Sequence, residues 1–219
     1  MKLNVKKTKN IIFNYTRKYQ FTTNLSVNGE SIEVVNEAKL LGTYITNDLK
    51  WNKNTSEIVK KAYKRMPLLN KAAAFTSNRQ DLKKIYLTYI QSVLDQSAVV
   101  WHSSLSQKNK RDLDRVQKVA IRVILGKNYK SYGQGLKELN LKRLDARREN
   151  LCLNFAKKCL KNDKLKNMFP KNDKSHCMNL RKQDIMKINK KRTTRYEKSA
   201  IPYMTKILNS YKIDQMNPI

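Results

Sequence analysis

Asp112 and Asp114 are the closest pair of carboxylates in the sequence. Carboxylates converging on divalent metal are what nucleases and polymerases require. An i, i+2 spacing sends the two to different helix faces. With Lys110, Arg111 and Arg115 beside them, the expectation is solvated ion pairs rather than a metal site. His102 has no serine or cysteine nucleophile at a spacing that suggests a triad. The three cysteines, Cys152, Cys159 and Cys177, do not make a disulfide framework, which fits a reducing compartment. Cys152 and Cys159 share a helix face but stand two turns apart. Even with His176-Cys177 added, the short spacings of structural zinc are missing, so they read as small buried hydrophobes. No glycine-rich phosphate loop is present.

Charge is the stronger signal. Lys and Arg number 47 against 17 Asp and Glu, a net of +30 on 219 residues. Such a chain repels itself when compact, and a polyanion relieves the repulsion. Nucleic acid is the first polyanion expected, because each neutralised phosphate also releases counterions, and an acidic membrane surface is the other candidate. No apolar stretch reaches the length of a membrane span, and no signal core follows the N-terminal lysines. An intracellular protein, nuclear or cytoplasmic, without a membrane partner is expected. The charge is uneven: residues 1–50 carry a net +4, residues 51–150 a net +14 and residues 151–219 a net +12.

The elements that would position these cations follow from the apolar pattern, which predicts an α+β fold. Residues 1–50 read as β-rich: a short run at Ile11 to Tyr15, and a hairpin turning at Asn28-Gly29, a pair suited to positive backbone dihedrals. One further strand is expected through Leu40, Leu41, Tyr44 and Ile45, with Gly42 letting something approach the backbone. From Trp51 the period becomes helical. One helix is expected from a cap at Thr55 or Ser56 to a stop or kink at Pro67. A second long helix should run from Asn78 to Trp101, and a third from about Lys108 to a glycine terminus at Gly126. After a loop from Tyr129 to Gly135 come a helical turn at Leu136 to Leu139 and a fourth long helix over 144–160. Residues 161–198 read as a loosely ordered basic segment containing Lys190-Lys191-Arg192. A short amphipathic stretch, Ile201 to Leu208, could dock on the body. The chain thus divides into 1–50, 51–160 and 161–219.

Lys60, Lys61, Lys64 and Arg65 on the first helix, with Lys190, Lys191 and Arg192, are the candidate phosphate contacts. Tyr86, Tyr89 and Trp101 fall on an apolar stripe and are expected in the core. Tyr129, Tyr132 and Tyr196 stand among cations and are candidates for stacking on bases.

Six separated segments, in order, resemble one family. Leu3-Asn4-Val5-Lys6-Lys7-Thr8-Lys9 with Ile12-Phe13 resembles the "LN..KTK...F" stretch of non-LTR, jockey-like retrotransposon reverse transcriptases. Lys39-Leu40-Leu41-Gly42 with Asp48, Leu49 and Trp51 resembles "KYLG...D..L.W", although Leu40 stands where that family has an aromatic. Ile85-Tyr86, Ile90, Val93-Leu94 and Val100-Trp101 resemble "IY...I...L.Y....W". Leu113, Val116-Gln117 and Arg122-Ile124-Gly126 resemble "L...Q....R.I.G". Leu139, Leu141, Leu144 and Arg147-Arg148 resemble "LGL..L..RR", and Arg195, Ser199, Ile201-Pro202-Tyr203 and Leu208-Asn209 resemble "R...S.IP....LN".

The resemblance implies a palm end over residues 1–50 and a helical thumb with its extension thereafter. It implies a position near the incoming nucleotide for Lys7 and in the primer grip for Leu41 and Gly42. The family's catalytic aspartates and endonuclease lie upstream of the segments matched. No catalytic or metal-binding residue and no cofactor is therefore expected in this chain, whereas the complete enzyme would use Mg2+. The partners implied are an RNA and DNA template-primer and the missing palm and fingers. Two other readings stand beside this one. The chain could be an adopted basic RNA-binding adaptor working through residues 161–198. It could also be a nuclease built on Asp112, Asp114 and His102.

Overall fold

The computed structural model describes residues 4–15, 23–172, 186–188, 190 and 193–216, with side chains up to residue 211. The fold is α+β, as the pattern of residues predicts.

The N-terminal region is a set of small paired strands. β1 (Lys9–Asn10) pairs in parallel with β4 (Glu33–Val34), and an ion pair joins Lys9 to Glu33 across them. β2 (Ser26–Val27) and β3 (Glu30–Ser31) form the expected hairpin, its Asn28 and Gly29 at φ 54° and 81°. The segment expected as one strand from Leu40 to Ile45 is instead a second hairpin of β5 (Glu37–Leu40) and β6 (Thr43–Thr46). Its turn is Leu41-Gly42, at φ 47° and 85°. Two successive positive φ values make a tight primed turn, and an apolar residue at the first position hides that turn in the sequence. The neighbour that Gly42 admits is Gln96, whose amide nitrogen a Cβ there would strike. Among the strand residues only Thr43 is buried.

The helical body begins with α1 (Asn52–Phe75), which opens before the expected caps: Thr55 is already inside it and buried. Pro67 does not end it. Proline removes one hydrogen bond and crowds the preceding turn. Here it lies on the exposed side, while Met66 and Leu69 anchor the helix to the core on the other. Burial of that stripe outweighs the lost bond.

The single helix expected from Asn78 to Trp101 is broken. α2 (Arg79–Ile85), capped by the Asn78 side chain on the Gln80 amide at 3.0 Å, widens into a π segment at Tyr86–Gln91. A short α3 (Ser92–Leu94) follows, then a break at Ser97 with φ 53°, then α4 (Ala98–Trp101). The broken path keeps Tyr86, Ile90, Leu94, Ala98 and Trp101 all buried. An apolar stripe therefore reads as continuous although the backbone that carries it is not.

α5 (Gln107–Leu125) starts at the Ser106 cap and ends at Gly126, φ 51°, as the glycine predicts. α6 (Tyr132–Glu138) takes in residues expected in a loop, because the Ser131 hydroxyl caps it on the Gln134 amide at 3.3 Å. α7 (Leu144–Lys161) packs on α4 and α5. The first core gathers α1 to α6 and the start of α7.

A second core forms where α9 (Ala200–Met216) lies on α7, joining Cys152, Ala156, Cys159, Phe169, Met186, Met204 and Leu208. Both described cysteines are thus buried small hydrophobes. α9 is longer than the stretch read from the sequence. The segment expected to be loosely ordered contributes Phe169 and Met186 to this core, and Asn209 holds the Met186 backbone at both N–H (2.9 Å) and C=O (3.1 Å). A four-residue α8 (Thr194–Glu197) precedes α9. His176, Cys177, Lys191 and Arg192 lie outside the described residues.

Candidate nucleic-acid interface

The side of α5 turned away from the core repeats a cation every three or four residues: Lys108, Arg111, Arg115, Lys118 and Arg122. All five are exposed, and residues at that spacing stack along one helix face. At 1.5 Å rise per residue the row is roughly 21 Å long. Among the described residues, no carboxylate comes within ion-pair distance of any of them. Sequence reasoning passed over this row, which is regular enough to be found by testing cations, rather than apolar residues, for helical periodicity.

α1 lies alongside α5, and the two start at the same end, where Asn109 donates to Asn52 at 3.0 Å. Between them runs a cleft of about 440 Å³. Lys60 and Tyr63 line it from α1, and Lys108, Asp112 and Arg115 from α5. The four cations proposed on α1 do not act as one set. Lys60 faces this cleft and meets Glu57 at 3.0 Å. Lys64 is on the exposed face next to it. Helix geometry turns Lys61 and Arg65 towards the other flank, where the Arg65 guanidinium donates to the Tyr89 carbonyl at 2.6 Å.

Tyr129 and Tyr132 are not bare stacking platforms. Arg122 lies 5.0 Å from the Tyr129 centroid and Lys118 lies 5.2 Å from that of Tyr132. The row's own cations thus cover the ring faces. The Tyr132 hydroxyl donates to Gln117 at 2.6 Å, and burial pushes its phenol up to about 12. Tyr196 is 40% exposed in α8. Tyr86 and Trp101 are buried as expected, but Tyr89 is 51% exposed. The π segment turns that one residue out of the stripe.

The candidate nuclease residues do not converge. Asp112 faces the α1–α5 cleft. Asp114 is half-buried on the far side, its carboxyl raised by burial against the opposing pull of Arg148. Neither makes an ion pair among the described residues, so the expected solvated pairs are not formed. His102 is 6% exposed, and burial with nearby Arg148 lowers its pKa to about 4. Among the described residues no three His, Cys, Asp or Glu side chains gather as a metal set.

One cation of α7 lies in the core. Arg148 is 1% exposed, and its Nε and one terminal nitrogen have no hydrogen-bond partner. Around it stand further unpaired buried atoms, the Tyr86 hydroxyl, one Asp95 oxygen and His102 Nδ1. Its neighbour Arg147 donates to Asp95 at 2.6 Å.

Of the other candidates, Lys7 is exposed on a single 3-10 turn capped by Asn4, and Lys190 is exposed. Leu41 and Gly42 form the exposed hairpin tip already described, with Leu41 90% exposed. No helix of the described residues is long and apolar enough to cross a membrane. No family model, no curated protein and no solved structure matches the chain.

Proposed function

We propose that this protein binds nucleic acid along its phosphate backbone through the paired faces of α1 and α5. In this reading it is the thumb-like, non-catalytic portion of a non-LTR reverse transcriptase, the palm end being residues 1–50. The observation that carries the binding role is the α5 row: five exposed cations on one helix face, none within ion-pair distance of a carboxylate among the described residues. Phosphates are the complement such a row lacks, and contacts of this kind position a strand without reading its sequence. The assignment to a reverse transcriptase rests on the ordered sequence resemblance. The partner would then be an RNA/DNA template-primer. The catalytic carboxylates and their Mg2+ would belong to a palm and fingers outside these residues.

The test is the salt dependence of binding to a labelled RNA/DNA duplex, followed by anisotropy. Each phosphate contact contributes about −0.9 to the slope of log K against log salt. Replacing Arg111, Arg115 and Lys118 together by Ala should flatten that slope by about 2 to 3. An unchanged slope would remove α5 from the interface. The purified chain should give no primer extension, and incorporation would refute the non-catalytic assignment.

A further inference from the structure

A second cleft, of about 350 Å³, opens where the start of α1 meets the C-terminal arm. Three pieces of chain far apart in sequence build it: residues 49–51, residues 100–104, and residues 194–200. Its apolar lining comes from Leu49, Trp51 and Val100, and its cations are Lys50, Arg195 and Lys198. Among the described residues no carboxylate lines it, although Asp48 meets Lys50 at 3.3 Å nearby. Trp51 packs on the first core and also borders the cleft. The ring is therefore held by packing while part of it remains open to a ligand.

The surroundings are fixed in the same way. Leu49 is held at φ 49°, a conformation that costs an ordinary side chain energy and that recurs at functional sites. Across the cleft, the Ser104 hydroxyl donates to the Lys198 carbonyl at 2.6 Å, which ties the arm to the body. Arg195 lies 5.4 Å from the Tyr15 ring centroid, which joins the arm to the N-terminal region as well.

We propose that this cleft seats one unpaired nucleotide, with the base against Trp51 and the phosphate among Lys50, Arg195 and Lys198. An aromatic face beside cations is the arrangement that holds single-stranded nucleic acid without sequence preference. The volume is at the small end of pockets that take one small molecule. The proposal rests on the reading that the partner is nucleic acid, but it uses residues separate from the α5 row. It adds a single-strand site to a duplex-binding face.

The chain carries its own reporter. Its two tryptophans are Trp51 and Trp101, and Trp101 is fully buried. Emission of the full chain is followed while a short single-stranded oligothymidylate is added, with anisotropy of the labelled strand recorded in parallel. Saturable quenching is expected. In Trp51→Phe the quenching should vanish while binding persists. The double variant Arg195→Glu and Lys198→Glu, both at exposed positions, should weaken single-strand binding about tenfold. Its duplex binding should be nearly unchanged, which also reports that the variant is folded. Binding of the single strand with no change in Trp51 emission would overturn the seat and leave the α5 interface standing. Quenching that survives in a chain unable to bind duplex would support the seat and remove the duplex interface.

Discussion

The guanidinium of Arg148 lies over the indole of Trp101, its central carbon 5.4 Å from the ring centroid, with both side chains sealed from solvent. A cation over an indole is favourable, but burial also strips water from donors that find no other partner. Burial depresses the Arg148 pKa, while Asp95 and Asp114 oppose that shift. The residue thus combines an electrostatic debt with a large packed volume. Arg148→Met keeps the volume and removes the unmatched charge, so its stability in urea should lie within about 1 kcal/mol of the parent protein. Arg148→Ala removes the charge and also leaves a hole in the core, and should lose about 3 kcal/mol or more. Equal losses in the two variants would show that the charge itself stabilises the fold.

Lys60 and Arg65 sit five residues apart on α1 and have different work to do. Lys60 and Lys64 stand at or beside the α1–α5 cleft, whereas Arg65 satisfies a carbonyl of the π segment. Lys60→Ala with Lys64→Ala should weaken duplex binding and reduce the salt slope by about 1 to 2, with little change in thermal midpoint. Arg65→Ala should lower stability by about 1 kcal/mol and leave the salt slope unchanged. Binding isotherms and melts on the same samples separate the two cases. A salt slope that responds to Arg65→Ala would put both flanks of α1 in the interface.

Elements that depend on local chemistry were readable in the sequence. Asn28-Gly29 turns, Gly126 ends α5, and the apolar stripes of α1 and α5 reach the core as their spacing requires. What was hidden depends on the rest of the molecule. Leu41 conceals a turn because its φ is imposed by the hairpin around it. Pro67 is tolerated because Leu69, fully buried one half-turn later, holds the helix on its course. The π segment escapes notice because it preserves the burial of Tyr86 and Ile90. The cleft at Trp51 is hidden more deeply, since Lys198 is its neighbour only in space.

His102 gives the protein a specific acid sensitivity. Its pKa falls from 6.5 to about 4 on folding, through burial first and then the charges of Arg148 and Lys110, with Asp145 opposing weakly. On a neighbouring element the Tyr203 ring meets it edge-on at 6.1 Å. Because the folded value is depressed, the unfolded chain binds the extra proton between those two values. Stability is therefore full above about pH 6.5 and is lost as pH falls towards 4, by up to about 3 kcal/mol. Asp48, Glu57 and Asp145 also favour the folded state, but their contribution disappears only at lower pH. Asp114 works in the opposite sense, its raised carboxyl costing stability as pH rises past 3.8. Urea unfolding at pH 7 and at pH 5 should show the loss in the parent protein and a much smaller one in His102→Phe. A slope that persists in the variant would place the acid-sensitive group elsewhere.

Leu41 is the least economical residue of the β region, since it is 90% exposed and held at φ 47°. A branched side chain in the left-handed region costs about 1 kcal/mol or more, and Asn followed by Gly is the pair this turn favours. Leu41→Asn should therefore raise stability by about 0.5–1 kcal/mol, read as a higher urea midpoint with unchanged slope. The same variant tests the primer-grip role that the sequence resemblance assigns to this tip. If the leucine is there to touch a nucleic-acid strand, the stabilised variant should bind a template-primer more weakly than the parent while keeping its affinity for blunt duplex. If both affinities stay the same, the exposed leucine has no part in binding and the resemblance carries no function at that position.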